Sequence, residues 1–360
     1  DSVHRLDDYS GLHPELRGLA ALYDDGLLGV IHGVGYPNPN RSHFRSTEIW
    51  QTAVDADETA RHGWIGRYFD NYCRGEGALA GVAVGGKPPQ AFAAESPAGV
   101  SFASPDELRW VGGGDGGDDL DGLFRELNSP AEATSGSSIS ALGGSAAPTT
   151  GSAMEFLERT ALDAQVSSET VIEVARRNRV STEFPNSALA RDLELVARLI
   201  AGGLSTRVYY VSQGGYDTHV NQQGAHERLL GELDGAVTAF CREMRRQDNH
   251  QRVTLMTFSE FGRRLAENGS AGTDHGAAAP MFIAGGAVAP GMHGRHPRLD
   301  DLHNGDLRHT LDFRSVYASV IADCLQVDPA PILGRRFPRL PIIRTAARGA
   351  ASAAAGGAPG

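Results

Sequence analysis

Arg207-Val208-Tyr209-Tyr210-Val211-Ser212 runs directly into Gln213-Gly214-Gly215-Tyr216-Asp217-Thr218-His219-Val220-Asn221, and this stretch decides the fold. Its first residues carry the β-branched and aromatic side chains that suit a buried strand. Two glycines then release the backbone, and an amphipathic helix is predicted from His226 to Arg246. Upstream, Ser187 caps a helix whose apolar stripe is Leu189, Leu193, Val196 and Ile200, closed by Gly202-Gly203. Helix, strand, loop and helix in that order form the repeating unit of an α/β protein.

The flanking sequence repeats the pattern. Val253 to Phe258 and Met281 to Ala284 read as strands, Met154 to Arg177 as a helix, and Leu311 to Val327 as the last long helix. In the N-terminal part, Leu12, Leu16, Leu19 and Leu22 predict a helix ending near Gly26. Leu27 to His32 is a short strand, Gly33 to Asn40 a Gly/Pro loop, Ser42 to Ala53 a helix, and Gly81 to Val84 a strand. Strands separated by helices of this length predict a mainly parallel central sheet with helices on both faces. Residues 112–152 break the pattern: apart from a helical interruption at Leu120 to Leu127, they are dominated by Gly, Ser, Ala, Thr and Pro. Such a composition buries too little apolar area to offset its ordering entropy, so a flexible excursion is expected. The reading is a single domain over residues 1–345, with a disordered Ala/Gly-rich tail at 346–360; a boundary at the excursion is the alternative.

Composition narrows the partners. The net charge is −11, with 33 Lys+Arg against 44 Asp+Glu, so no basic face is expected for nucleic acid or an anionic membrane. Cys73, Cys241 and Cys324 are odd in number and far apart, which is no disulfide framework, and no Cys-x-x-Cys pair points to zinc or redox chemistry. No apolar run approaches the ~20 residues that span a bilayer. There is no initiator Met and no signal peptide, so Asp1 reads as a processed or trimmed start.

Ligands of open parallel sheets bind beyond the carboxyl ends of the strands, and the loops there are chemically loaded. Asn40-Arg41-Ser42-His43-Phe44-Arg45-Ser46 opens a helix, where a hydroxyl meets free N–H groups. Ser42 is either part of a setting that suits an anionic oxygen, or simply an N-cap, while Arg41 and Arg45 offer donors to a phosphate or sulfate. Asp217 and His219, two residues apart in a glycine-released loop, read as metal ligands or as an Asx-turn with a surface histidine. Glu260 follows the Val253–Phe258 strand, and Thr273-Asp274-His275-Gly276 lies between glycines. Asp274 and His275 either share a metal, or the aspartate orients a ligating or basic histidine. His293, His296, His303 and His309 read as surface or lid residues, Asp306 and Asp312 as caps of turns and of the final helix, and His32 as a core histidine.

The segments Val30 to Trp50, Leu195 to Gln222, Thr254 to Pro280 and Gly305 to Tyr317 resemble a bacterial family catalogued as domain of unknown function 1501. Its members are typically exported by the twin-arginine route and are grouped with the alkaline-phosphatase and sulfatase superfamily. The resemblance implies an alkaline-phosphatase-like fold and a periplasmic or extracellular protein. It implies a metal-dependent hydrolase of phosphate or sulfate esters, acting on a small-molecule or polymer-borne anionic ester. By position, Ser42 resembles the nucleophile, with Arg41, His43 and Arg45 as substrate-binding residues. Asp217, His219, Glu260, Asp274 and His275 resemble the ligands of a divalent metal, with zinc, manganese, calcium and magnesium undistinguished. The sequence departs from the superfamily in three respects. Nothing before Leu12 matches its Gly-rich, Asp-bearing first strand, and Glu260 stands where relatives carry an Asp-His pair. The Cys-x-Pro-x-Arg sulfatase signature is absent, since Cys73, Cys241 and Cys324 are followed by Arg74, Arg242 and Leu325 with no Pro two residues on. A non-catalytic binding or surface-assembly protein on a degenerate phosphatase-like fold is the competing expectation, and other metal chemistry at the same residues is a third.

Overall fold

The computed structural model describes residues 3–76, 78–85, 87–95, 99–102 and 169–344. The expected excursion at 112–152, most of the expected helix from Met154 to Arg177, and the tail at 346–360 lie outside the described residues.

The chain opens with a two-strand ribbon, β1 (His4–Arg5) and β2 (Gly11–Leu12), followed by α1 (Arg17–Asp24). The helix expected from Leu12 to Leu22 thus begins five residues late, because Leu12 is held in the ribbon. Next comes β3 (Leu28–Gly35), which continues past His32 into the expected loop. Gly33 makes the extension feasible, having φ 61° and Thr310, Arg295 and Pro297 packed where a Cβ would stand. After α2 (His43–Thr52) and α3 (Trp64–Tyr72) come two short parallel neighbours, β4 (Gly81–Val84) and β5 (Gly99–Phe102). A helical stretch at 169–177 (α4) precedes α5 (Ala188–Ala201), which Ser187 caps through its hydroxyl at 3.2 Å from the Ala190 N–H. Then follow β6 (Val208–Tyr210), α6 (Gln222–Arg246), β7 (Leu255–Met256) and the β8 (Gly262–Glu267)/β9 (Thr273–Gly276) hairpin. The chain continues through β10 (Ala279–Ala284), β11 (Gly291–His293), the β12 (Leu302–His303)/β13 (Asp306–Leu307) hairpin and β14 (Leu311–Asp312). It ends in α7 (Phe313–Asp323) and α8 (Ala330–Leu333).

The architecture is mixed α/β. The order β5-β4-β6 is a three-stranded parallel sheet, as the strand–helix alternation predicts. The second sheet corrects the expectation of a mainly parallel centre. Here β3 pairs with β11 and β14 in parallel, but β10 runs antiparallel to both β3 and β7. β7 and β10 are joined by the β8/β9 hairpin and not by the crossover helix that usually links parallel neighbours.

Helices cover both faces, and the strand period dictates how. Val30 joins one core with Leu28, Val82, Val84 and residues of α1, α5 and α6, while Ile31 joins the other with Ala83, Met281 and residues of α2, α3 and α7. In the second core Trp50 stacks on Phe313 with centroids 4.3 Å apart, and Tyr317 donates to the Trp50 carbonyl at 3.2 Å. Burying each such ring stabilises the fold by about 1.5–3 kcal/mol. This anchors α2 to α7 and so fixes where the N-terminus of α2 emerges. Among the described residues, no helix is long and apolar enough to cross a membrane.

Candidate metal centre

Beyond β6 the chain leaves regular structure, with Gly215 at φ 96° and the Thr218 N–H turned back onto the Tyr216 carbonyl at 2.9 Å, and the side chains of Asp217 and His219 meet at 2.9 Å beside buried Thr218. A turn at residues 268–272 holds this loop. Asn221 donates its N–H to the Ser270 carbonyl at 3.0 Å, Gln222 to the Ala271 carbonyl at 2.9 Å, and the Asn268 amide to the His219 carbonyl at 3.0 Å. Gly272 lets the two backbones touch, for a Cβ there would lie 2.2 Å from the His219 carbonyl.

The β8/β9 hairpin supplies the next residues. Arg263 pairs across it with His275, so both side chains share a face. Arg263 donates to Asp217 Oδ1 at 3.1 Å and to the carbonyls of Tyr216 (2.6 Å) and Thr273 (2.7 Å). His275 Nε2 is 2.8 Å from the same Asp217 oxygen. The Thr-Asp-His-Gly run therefore lies in a strand and not in the expected loop, and alternation sends Asp274 to the other side of β9. There Asp274 meets the Nδ1 of His219 at 3.4 Å. Of the two readings of the Asp-His pair, the geometry favours an orienting aspartate, but one directed at a histidine 55 residues away. The first helical residue of α2, His43, completes the group: Nδ1 is 2.8 Å from Glu260 Oε1 and Nε2 is 3.2 Å from Asp217 Oδ2.

The hydrogen bonds place a proton on the outer nitrogen of His275. Its Nδ1 lies 2.9 Å from the carbonyl of Arg41, an oxygen that only accepts, while Nε2, 2.8 Å from Asp217 Oδ1, donates to that carboxylate when the ring is doubly protonated and carries the lone pair when the ring is neutral. The Glu260 carboxylate likewise accepts from Nδ1 of His43, and Asp274 faces Nδ1 of His219. All three Nε2 atoms turn toward Asp217, and those of His219 and His275 are 2.9 Å apart. Where the rings are neutral, this sets lone pairs against carboxylate oxygens, an arrangement that a proton or a metal cation among them stabilises. A buried Nε2 of His43 with no hydrogen bond of acceptable angle, despite Asp217 at 3.2 Å, fits the same need. His43, Asp217 and His275 each offer one ligand atom within 4.8 Å of the others, a donor set suited to a divalent metal ion.

The charges are mutually tuned. His275 first, then Arg263 and His43, hold the Asp217 carboxyl far below the usual carboxylate range against the opposing effect of desolvation. Glu260 foremost, with Asp217, raises the His43 imidazole against its partial burial. Asn268, then His219, lower the Asp274 carboxyl. Phe261 closes one wall, stacking on His275 with centroids 4.0 Å apart and lying 4.9 Å from His43.

The structure thus brings together Asp217, His219, His275 and Glu260 from the sequence-derived set, with Asp274 behind His219. His43, expected to bind substrate, lies against Asp217 and Glu260 in the same cluster. Ser42 is the exposed N-cap residue of α2 by backbone conformation, but its hydroxyl makes no capping hydrogen bond. Arg45 turns into its own helix, bound to Glu48 at 2.6 Å and to the carbonyls of Ala56 and Glu58. Arg41 reaches Asp306 at 2.5 Å. Asp306 is no turn cap: it is 4% exposed and paired with both Arg41 and Arg264. Asp312 does cap the last long helix, accepting from the Arg314 N–H at 2.9 Å. His32 is half-buried, with burial pushing its imidazole down. Phe261, Arg263 and the place of His43 against Asp217 escaped the sequence reading; the two-residue alternation of Phe261, Arg263 and Leu265 was the signal available for the first two.

A family described as "Protein of unknown function (DUF1501)" matches residues 126–319, which includes Asp217, His219, Glu260, Asp274 and His275 but not His43. No curated protein matches the chain. Two solved structures are similar in outline: Ps i-CgsB in complex with k-i-k-neocarrahexaose, and Ps i-CgsB alone. Each has a TM-score of 0.39 and 9% identity, covering 89% of this chain and 67% of the other. That likeness is too low to assign fold or function.

Proposed function

We propose, from the premise that this chain belongs to the DUF1501 family of proteins of unknown function, that it is a metal-dependent hydrolase of phosphate or sulfate esters. The observation that carries the metal half of this reading is the shared orientation of three imidazoles, each with Nδ1 facing an acceptor and Nε2 facing Asp217. Outer-shell acceptors of this kind fix the tautomer and raise the basicity of ligating histidines. His43, His219, His275 and Asp217 would hold the ion. When bound, it would supply Lewis acidity toward an ester oxygen and charge neutralisation.

The remaining work falls to side chains of this chain. Glu260, braced by the Ser259 hydroxyl at 3.1 Å, holds the Nδ1 proton of His43. Arg263 keeps Asp217 ionised and aimed at the three rings. Ser42 stands next to His43 with its hydroxyl exposed, which suits the attacking group of an ester hydrolase. The half-exposed Asp217 leaves one side of the cluster open to a substrate arriving from solvent. Membership of the alkaline-phosphatase-like superfamily, twin-arginine export and a periplasmic or extracellular site belong to the same proposal. The parallel β4–β6 sheet, with Asp217 and His219 in the loop beyond β6, supports the superfamily placement.

Two measurements test the halves separately. Metal content after exposure to zinc, manganese, calcium and magnesium should reach one equivalent in the wild type and fall away in Asp217→Asn. A panel of aryl phosphates, phosphodiesters and aryl sulfates should reveal turnover that Ser42→Ala reduces by at least 100-fold without changing metal content. A metal-binding protein that turns over no ester would retain the centre but defeat the hydrolase reading.

A further inference from the structure

The Gly305-Asp306-Leu307 motif plays no part in the centre as described so far, yet it sits behind it. Leu302 pairs with Leu307 and His303 with Asp306, leaving Asn304-Gly305 as a two-residue loop with φ of 54° and 85°. Two positive φ values in a hairpin loop mark the tight turn whose twist matches its strands, and Asn-Gly is the sequence that adopts it most readily. The turn delivers the next residue, Asp306, into the protein, where its side chain is only 6% exposed. An ionised carboxylate is costly there unless paired, and two guanidiniums pair it. Arg41 Nη2 donates to Oδ2 at 2.5 Å and Arg264 Nε to Oδ1 at 3.1 Å, while Arg264 Nη2 also binds the Asn304 carbonyl at 2.9 Å.

Arg41 matters through its backbone. Its carbonyl receives the Nδ1 proton of His275. Residues 37–39, 41 and 42 are exposed, and the neighbours of Arg41 have their own ties: the Asn40 N–H donates to the Tyr36 hydroxyl at 3.0 Å, and Ser42 donates its N–H to the Asn40 side chain and accepts from the Ser46 N–H at 2.9 Å. Arg41, between them, is held through its own side chain, which Asp306 grips. We infer that Asp306 is a positioning residue for the centre, fixing the Arg41 carbonyl and through it the ring orientation and tautomer of His275.

This inference rests on the metal-centre reading for its affinity readout, but a second readout does not. In the metal-free protein, nitrogen NMR of His275 should report a proton held on Nδ1 in the wild type. Asp306→Asn and Arg41→Ala should both give a mixture of tautomers. Removing such outer-shell support lowers metal affinity by about 10-fold or more, so each variant should bind zinc about 10-fold more weakly by calorimetric titration. The double variant should bind within about twofold of the weaker single, because both substitutions break one chain of contacts. Arg41 is 42% exposed, so Arg41→Ala carries the test should Asp306→Asn fail to fold. An unchanged His275 tautomer in Arg41→Ala, or fully additive affinity losses, would overturn the inference. A wild type that binds no zinc defeats the metal reading alone, and the NMR comparison still decides the role of Asp306.

Discussion

Substituting Gly272 by alanine perturbs the proposed centre without altering any residue proposed to hold the ion. A Cβ at Gly272 would lie 2.2 Å from both the carbonyl carbon and the carbonyl oxygen of His219, and 2.8 Å from the Val220 nitrogen. Ordinary contacts begin near 3.4 Å, so the two backbones must separate by roughly 1.2 Å. The hydrogen bonds of Asn221 and Gln222 to Ser270 and Ala271 oppose that separation, so the strain is shared between the turn and the His219 loop. Overpacking of this kind costs about 1–3 kcal/mol of stability. A functional group misplaced by about 1 Å loses on the order of 100-fold in what it does, and His219 is the ring displaced. Gly269→Ala is the matched control, in the same turn with nothing within 4 Å of its added Cβ. Zinc titration of the three proteins, with thermal melts in chelator, gives both quantities. The expectation is a loss of 10- to 100-fold in affinity for Gly272→Ala, with Gly269→Ala matching the wild type. Equal affinity for the two variants would show that the position of His219 does not matter to the centre.

Four further outcomes follow from the same geometry. Arg314 is 2% exposed and bound to Asp312 through two nitrogens and to Asp55, so Asp312→Ala removes both a helix cap and a buried charge partner. Denaturant melts should show a loss of about 3–5 kcal/mol, and a loss below 1 kcal/mol would contradict the pairing. In chelator, His43 and Asp217 give stability a pH window of definite sign. The imidazole of His43 is raised, so its contribution is complete below about pH 6.5 and fades as pH climbs through the raised value; the carboxyl of Asp217 is lowered, so its contribution is complete above about pH 4 and fades as pH falls through the lowered value. Urea midpoints should therefore peak between these limits. Glu260→Gln should remove the alkaline decline, and an unchanged decline would assign it to another group. Bound metal should reverse that decline, because the ion takes neutral imidazoles and its binding releases protons.

Much of this was legible in the chain because the signals were local. The strand at Val208–Tyr210 and its glycine-released loop announced Asp217 and His219, and the caps Ser187 and Asp312 marked their helices. Strand direction was not legible: the apolar runs at Leu255–Met256 and Ala279–Ala284 look alike whether paired parallel or antiparallel. Thr273–Gly276 read as a loop because of its glycines, whose function is close backbone approach within a hairpin. His43 was overshadowed by Ser42, since a helix start draws attention to its hydroxyl and its anion-binding N–H groups. Its role depends on Glu260, 217 residues away, a contact no local pattern contains. Asp306 was misread for the same reason, its partners Arg41 and Arg264 being distant in sequence.

The central claim is that three histidines and Asp217 hold one divalent ion. Cobalt substitution tests it most directly, by titrating metal-free protein with cobalt(II) while recording the visible ligand-field spectrum. The account predicts saturation at one equivalent, with an intense band of the kind given by low-coordinate nitrogen and oxygen donors. That band should be lost in Asp217→Asn and in His275→Gln. Failure of the wild type to bind cobalt, or a spectrum unchanged by both substitutions, would contradict it.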